Sequence, residues 1–153
     1  MPYQIQIQGL DKLKGRLRGA GVIVNRHLKD AMHKSVFAVQ SDVRRETPVD
    51  TGRLRQSVGA KVTGIGAGLT GIVGTNVLYA QMVEEGTKAH EIRPKTARVL
   101  RFMVGTTVVF AKRVRHPGSK GRWMFKKAFE GNTGNIKGFF TRAIEKVAED
   151  LAR

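Results

Sequence analysis

Apolar residues recur at steps of three and four positions between Val22 and Glu46, which is the spacing of one face of an α-helix. Basic side chains lie on or near the opposite face. A helix over this stretch of about 25 residues would be about 37 Å long. The pattern therefore predicts an amphipathic helix whose apolar face is formed by Leu28, Met32, Val36, Val39 and Val43.

A proline marks a corner in the chain over residues 47–57. Pro48 ends the preceding helix because its ring clashes with the preceding turn and it lacks an amide hydrogen. Asp50 or Thr51 can then accept a hydrogen bond from a free amide at the start of a new helix. The corner is therefore predicted as a helix end, a tight turn and a short second helix that one of these two side chains caps.

Four later segments are rich in β-forming residues, and turns that contain glycine join them in pairs. Three glycines within residues 64–68 supply the first turn, and Gly105 supplies the second. A further strand is predicted over Tyr3–Gln8, where polar and apolar residues alternate. The strands of the two predicted hairpins are Val58–Val62, Leu69–Gly74, Val99–Met103 and Thr107–Val114.

The remaining apolar periodicity predicts four more helical segments. Gly86 is expected to close the second of them with a left-handed cap, and Gly131 is expected to end the third. The four segments are Leu10–Leu17, Leu78–Glu85, Trp123–Phe129 and Asn135–Ala152.

These elements predict an α+β fold, because the long helices and the strands occur in separate runs rather than in alternation. One antiparallel β-sheet of about four strands would pack against the long N-terminal helix and the C-terminal helix. Residues 1–153 are predicted as a single domain, with 1–20 as a peripheral arm and 87–98 as a long basic loop.

The composition is that of a soluble globular protein, with 41% hydrophobic and 26% charged residues in a chain of 153. The absence of cysteine excludes disulfides and thiolate chemistry. The N-terminus lacks the pattern of a signal peptide, and no apolar run reaches the ~18 residues of a membrane span. The sequence therefore predicts a soluble protein of the cytoplasm that does not enter a membrane.

Charge is the unusual property of this chain. The sequence has 28 Lys and Arg residues against 12 Asp and Glu residues, which gives a net charge of +16. Between Lys88 and Lys127 there are twelve basic residues and one acidic residue, Glu91. Such a basic block indicates a polyanion, an acidic protein partner, or a loop that stays solvated through self-repulsion.

The functional interpretation of the basic block is contact with nucleic-acid phosphates. Alternation along a hairpin would expose many of its side chains on one face. Phe102 and Phe110 are predicted in the core, so base stacking is not expected. The alternative is a solvated strand edge, where basic residues discourage aggregation. The candidates for contact with DNA or an acidic partner are Arg93, Lys95, Arg98, Arg101, Lys112, Arg113 and Arg115.

No pattern in the sequence predicts catalysis. The histidines lack the spacing of metal ligands, and the glycines of residues 64–68 are not followed by the Lys-Ser/Thr of a phosphate loop. Glu84 and Glu85 lie near Lys88 and a helix end, which favours ion pairing or partner contact over acid–base catalysis. A small hydrolase would need a paired acid and base, and none is visible. The chain is therefore predicted to be neither an enzyme nor a binder of cofactors or metals.

Three segments carry a family resemblance through their order and spacing. They are Thr47-Pro48-Val49-Asp50-Thr51-Gly52-Arg53-Leu54-Arg55-Gln56-Ser57, Tyr79-Ala80 through Val83-Glu84-Glu85-Gly86-Thr87, and His116-Pro117-Gly118-Ser119 through Phe125-Lys126-Lys127-Ala128. From about Val22 to the C-terminus the chain resembles the tail-completion, or neck, proteins of long-tailed lambdoid-type bacteriophages. Asp-Thr-Gly also marks aspartic proteases, but here it follows a long helix and has no second copy. This chain departs from the family at Arg122-Trp123-Met124-Phe125, where a Pro-Phe pair is usual.

The resemblance implies a structural, non-enzymatic virion component at the head–tail junction, assembled in the host cytoplasm. Related connector and tail-terminator proteins share a small α+β fold and commonly form hexameric or dodecameric rings. The implied partners are tail-terminator, tail-tube and head-closure or connector proteins, with non-specific contact with the passing DNA. Whether the basic block meets DNA or protein stays open. Candidates for subunit or partner contact are Arg53, Arg55, Glu84, Glu85 and Lys88.

Overall fold

The first helix, α1, covers Leu10–Glu46 in the computed structural model, which describes residues 10–152. The helix predicted from Val22 is therefore confirmed, and the weak helix predicted over Leu10–Leu17 is the beginning of the same helix. Its predicted apolar face is the buried one, and Val43, in the last turn of the helix, is completely buried. The strand predicted over Tyr3–Gln8 lies outside the described residues.

The last helix, α4, covers Met124–Ala152 and packs along α1. The sequence predicts two helices here with a break at Gly131, and that prediction is wrong. An interior glycine costs only about 1 kcal/mol relative to alanine, and burial of one face can offset that cost. The face of α4 that meets the core contains Met124, Ala128, Asn132 and Ala143, all of them buried.

A β-hairpin of two five-residue strands, β1 (Gly59–Thr63) and β2 (Thr70–Gly74), lies against α1. The strands are antiparallel, with Gly59 opposite Gly74, and a 3₁₀ turn over Gly66–Gly68 lies between them. Gly71 lets β2 approach α1 closely. A Cβ there would lie 2.5 Å from Cγ1 of Val36 and 2.6 Å from Sδ of Met32, well inside van der Waals contact.

The short second helix predicted after Pro48 is confirmed as α2 (Arg53–Ser57). Its capping residue is not Asp50 or Thr51, so that prediction is wrong. Gly52 occupies the position before the helix with φ of 80°, and no side chain caps the helix. Glycine adopts this left-handed conformation without the Cβ clash that other residues suffer, so the turn is made by the backbone alone.

The described chain divides into two compact units. We call residues 10–76 with 124–152 the helical unit, and residues 77–123 the strand unit. The strand unit begins with α3 (Ala80–Glu85), which confirms the predicted short helix before Gly86. The number of domains that the chain forms stays a prediction, as does the peripheral arm over 1–20.

Three antiparallel strand pairs follow α3 in the strand unit. The first joins β3 (Gly86–Thr87) to β8 (Ser119–Lys120). The second joins β4 (His90–Ile92) to β7 (Val114–His116). The third is the predicted hairpin across Gly105, made of β5 (Leu100–Val104) and β6 (Thr107–Ala111).

The α+β class is confirmed, with a long helix at each end and small antiparallel strand pairs between them. The single sheet of about four strands is not formed. Within residues 10–152 the strands make four separate two-stranded pairs. The two predicted hairpins belong to different compact units, with β1 and β2 in one and β5 and β6 in the other.

Two local features of the strand unit differ from the sequence-based expectation. Residues His90–Ile92 form a strand within the segment 87–98 that is predicted as a loop. Gly86 has φ of 83° and ψ of −173°, which is an extended backbone of positive φ rather than a left-handed helical cap. Both differences arise from strand pairing, because β4 and β3 gain backbone partners in β7 and β8. Among the described helices, none is both long and apolar enough to cross a membrane.

Candidate functional site

The corner over residues 47–57 is anchored at its start by Thr47, which is 1% exposed. Its hydroxyl donates a hydrogen bond of 2.6 Å to the carbonyl of Val43, one turn earlier in α1, and lies 3.4 Å from Sδ of Met124. Met124 is completely buried and is the first residue of α4. Thr47 therefore ties the end of α1 to the beginning of α4.

The other end of the corner is held by two side chains of α1. Nη2 of Arg44 and Nε2 of Gln40 donate hydrogen bonds of 2.7 Å and 2.9 Å to the carbonyl oxygen of Val58. Val58 is completely buried, so its carbonyl could not find water as a substitute partner. Because both donors lie one turn apart on α1, they fix where the chain leaves the corner.

Two arginines of the corner are predicted to contact other subunits. Arg53 is exposed at the start of α2. Arg55 is also exposed as a whole, but its Nη2 donates a hydrogen bond of 3.2 Å to the carbonyl of Thr47. Arg55 thus closes the corner through a bond to its own chain, whereas the charge of Arg53 is presented to the surroundings.

The second and third segments of the family resemblance meet in the strand unit. The amide of Arg122 donates to the carbonyl of Val83 at 2.9 Å, and the amide of Trp123 donates to that of Glu84 at 3.0 Å. These bonds satisfy carbonyls at the end of α3 that have no partner within the helix. The second and third segments, although distant in sequence, are therefore joined into one structural element. The two bonds come from Arg122 and Trp123, the residues at which the chain departs from the family pattern.

In this element, Gly118 occupies a position that only glycine can adopt without strain. It has φ of 90°, and a Cβ at that position would collide with the carbonyl oxygen of Thr87. The hydroxyl of Thr87 accepts a 3.1 Å hydrogen bond from the amide of Ser119, the residue after Gly118. The His116–Ser119 turn thus lies directly against β3.

The acidic pair and Lys88 are placed near this element. Glu84 is half-buried, while Glu85 is exposed and accepts a hydrogen bond of 3.3 Å from Gln81. The carbonyl of Lys88 lies 2.8 Å from Nδ1 of His90, and the side chain of Lys88 is exposed. The three predicted contact residues of the strand unit therefore lie at the end of α3 and directly after β3.

The predicted basic residues separate into two groups. In the first, Nε of Arg93 donates a hydrogen bond to the carboxylate of Glu91, and Arg115 is the cross-strand neighbour of Glu91 in the β4–β7 pair. Glu91 therefore pairs with Arg93 and lies opposite Arg115 in the strand register. This group carries less net charge than its arginines alone suggest.

The second group lies at the base of the β5–β6 hairpin. The register pairs Leu100 with Ala111, so Arg101 and the Lys112-Arg113 pair are brought to the same end. Lys95 and Arg98 precede this end along the chain, and all five basic side chains are exposed. Among the described residues, no carboxylate forms a salt bridge with any of these five. We call Arg98, Arg101, Lys112 and Arg113 the basic base of the hairpin.

The hairpin also exposes apolar side chains that sequence reasoning places wrongly. Phe110 is predicted in the core but is 63% exposed, and Met103 is 65% exposed. The register pairs Met103 with Val108 and Arg101 with Phe110, so all four share one face. Alternation of the strand pattern cannot reveal which face is buried when apolar residues occupy both. We call Met103, Val108 and Phe110 the apolar face of the hairpin.

The helical unit contains an open apolar groove with a volume of about 510 Å³ between α1, β2 and α4. Phe129 lines it and is 61% exposed. The groove was not foreseen, because it depends on where β2 and a continuous α4 meet α1. Its larger apolar lining residues are Met32, Leu69, Phe125, Phe129, Ile136 and Phe140.

Features of catalytic or metal sites are few. Among the residues that the structure describes, no group of three or more His, Asp and Glu side chains is arranged to hold a metal ion. His90 and His116 face each other across the β4–β7 pair, with ring centres 5.1 Å apart. On α1, the hydrogen bond from Lys34 lowers the pKa of Asp30 below its usual value, as in an ordinary ion pair one helical turn apart.

Comparison with known proteins gives one family match. Residues 11–86 match the family model described as "Bacteriophage HK97-gp10, putative tail-component". The matched region contains most of α1, the corner, the β1–β2 hairpin and α3, and it ends at Gly86. No curated protein and no solved structure matches the chain.

Proposed function

We propose, from the match of residues 11–86 to the model of a bacteriophage tail-component family, that the protein completes the tail at the head–tail junction. In this role it is a non-enzymatic ring subunit that binds neighbouring proteins of the tail and neck. A tail component is a part of the virion. The narrower position in the neck and the ring are the proposal.

The observation that carries the proposal is the family match, because it covers the corner that first marks the resemblance. Two further segments support the proposed position at the head–tail junction. Residues 79–87 lie within or at the edge of the match, and residues 116–123 bond to them directly through Val83 and Glu84. The second and third segments are therefore coupled by backbone hydrogen bonds, and the side chain of Thr47 in the first segment contacts Met124 in the third.

Charge and exposure support a role in assembly. The chain carries +16, and the basic base of the hairpin points its charges outward rather than into internal ion pairs. Acidic neighbours in the tail or connector would bind such a surface through complementary potentials. The proposed partners are the tail-terminator, tail-tube and head-closure or connector proteins, and Arg53, Glu84, Glu85 and Lys88 remain proposed contact residues.

A phage that lacks the gene for this protein tests the proposal. We expect filled heads and full-length tails that fail to join, seen by electron microscopy of the lysate. A wild-type copy supplied in trans should restore joined particles. Normal, infectious particles without the protein would contradict the proposed role, and so would heads with no tails of any kind, which would indicate an earlier step in tail assembly.

A second candidate function is shape-blind contact with duplex DNA, which the basic base of the hairpin favours. Four exposed cations close together can neutralise phosphates and release counterions. DNA binding does not explain why Phe110 is exposed, because the phosphates of duplex DNA offer no apolar surface for its ring.

Salt dependence of duplex binding tests this second function. Replacing Arg98, Arg101, Lys112 and Arg113 by Gln should reduce the slope of log K against log salt by about four if all four meet phosphates. The matched control replaces Lys29, Lys61, Lys137 and Lys146, four exposed cations of the helical unit outside the basic block, by Gln. Equal slopes for the two quadruple variants would show that net charge, not the hairpin, governs the binding.

A further inference from the structure

We propose that the apolar face of the β5–β6 hairpin of one copy inserts into the apolar groove of the helical unit of a neighbouring copy. The inference rests on the proposed ring, for which it supplies the contact between subunits. It joins two features that the folded chain leaves exposed to water, one projecting and one concave.

The projecting partner is the hairpin. Its strands pair with each other, and neither packs extensively against another described element. Met103 and Phe110 are each exposed over more than half of their surface, although methionine and phenylalanine are normally among the buried residues. A two-stranded hairpin with an exposed apolar face is marginal in water by itself. A surface that covers this face would stabilise the hairpin as well as bind it.

The concave partner is the groove between α1, β2 and α4. Its lining is almost entirely apolar, and Phe129 stands at its open side. Water gains few hydrogen bonds on such a surface, so an apolar occupant is favoured over solvent. An apolar cavity of about 150 Å³ already holds a benzene ring, so a groove of about 510 Å³ has room for about three apolar side chains.

The two surfaces correspond in number and chemistry. The hairpin presents three apolar side chains on one face, Met103, Val108 and Phe110, and the groove has volume for about that many. Aromatic and methionine side chains that enter a desolvated pocket are typical anchors of protein interfaces. This match favours a second copy of the chain over an unrelated partner, because both halves of the interface are then encoded in one sequence.

The symmetry of such a contact is informative. The hairpin and the groove are different surfaces, so each copy donates a hairpin to one neighbour and accepts a hairpin from the other. A heterologous contact of this kind repeats from subunit to subunit and closes into a ring when the rotation permits. The basic base of the hairpin would then lie at the edge of each contact, where it stays hydrated.

Cysteine crosslinking tests the contact, because the natural chain has no cysteine. A tagged Phe110→Cys variant is mixed with an untagged Phe129→Cys variant and oxidised mildly. We expect a disulfide between the two chains, identified by mass spectrometry of the joined peptides. The matched control pairs Phe110→Cys with Ile144→Cys, another exposed apolar position on α4 that does not line the groove, and should give no such product. In a double variant that carries both cysteines, a bond within one chain would overturn the proposal.

Light scattering during size-exclusion chromatography measures the consequence for assembly. Phe110→Asp and Phe129→Asp should each raise the concentration for half-assembly by at least about tenfold. Val104→Asp, on the other face of the hairpin, and Ile144→Asp should leave it unchanged. All four positions are exposed, so the variants should fold, which circular dichroism checks. An oligomer insensitive to Phe110→Asp and Phe129→Asp overturns this contact but leaves the ring, whereas a monomer at every concentration overturns both.

Discussion

Nδ2 of Asn132, in the middle of α4, donates a hydrogen bond of 2.6 Å to the carboxylate of Asp42 on α1. The same Nδ2 lies 2.9 Å from the carbonyl of Ala128, and Asn132 is 2% exposed. A polar side chain this deeply buried is stable only with such partners. The bond therefore fixes the register of the two long helices at the point where glycines weaken α4.

Replacing Asn132 by Ala should lower the free energy of unfolding of the helical unit by about 1–3 kcal/mol, because a buried hydrogen-bonded group is lost. Asp42 keeps its ion pair with Arg45 at 2.9 Å, so no buried charge is left unpaired. Urea denaturation followed by helical circular dichroism measures the change. The control is Lys137→Ala, an exposed position on the same helix, which should cost under about 0.5 kcal/mol. Equal effects at both positions would contradict the register role.

Gly134→Ala should stabilise the protein by about 0.5–1 kcal/mol. Gly134 lies within the continuous α4, and a Cβ added there meets no atom within 4 Å. Alanine therefore gains helix propensity without a steric cost. The same denaturation measurement applies, with Gly71→Ala as the contrasting variant, because a Cβ there would press on Val36 and Met32. Destabilisation by Gly134→Ala would indicate a break in the helix at this point.

Either Gln40 or Arg44 should suffice to satisfy the carbonyl of Val58, since both side chains donate hydrogen bonds to it. Either Gln40→Leu or Arg44→Met alone leaves one donor and should cost less than about 1 kcal/mol. The double variant leaves a buried carbonyl without a partner and should cost about 1–3 kcal/mol more than the two single costs together. A double-mutant cycle by chemical denaturation measures this coupling. Simple additivity would show that the corner does not depend on the shared acceptor.

Gly118→Ala should loosen the strand unit more than Gly105→Ala does. Both glycines have positive φ, 90° and 62°, so both substitutions carry backbone strain of about 1–2 kcal/mol. Only at Gly118 would the added Cβ also strike the backbone of Thr87, while at Gly105 it meets open space. Hydrogen exchange of the amides of β3 and β8 should therefore rise in Gly118→Ala and stay near wild type in Gly105→Ala. Similar exchange in both variants would contradict the close packing of the 116–119 turn.

The helices and turns that local physics determines could be predicted from the sequence. The apolar face of α1 repeats from Leu28 to Val43, over about four helical turns, and Pro48 ends a helix whatever surrounds it. The hairpins were located to within one or two residues, except that the last predicted strand ends earlier and continues as β7, because glycine-containing turns separate β-forming runs. In each case the relevant interaction lies within a few residues of the chain.

The features that were missed depend on contacts between distant residues. Gly131 does not end a helix because Asn132 and Ala128 are held by α1, which no local pattern contains. Neither Asp50 nor Thr51 caps α2, because Gly52 occupies the position before the helix in a left-handed conformation. Phe110 looks like a core residue until the register places it on an exposed face. The basic residues were found by composition, but their division by Glu91 into two groups required the strand pairing.

Cryo-electron microscopy of purified phage particles tests the central claim most directly. The account predicts that a ring at the head–tail junction has density into which α1, α4 and the β1–β2 hairpin fit, with neighbouring subunits in contact. The protein should also be present in mass spectra of the purified virions. Its absence from virions, or its location along the tail tube or at the distal tip, would contradict the claim.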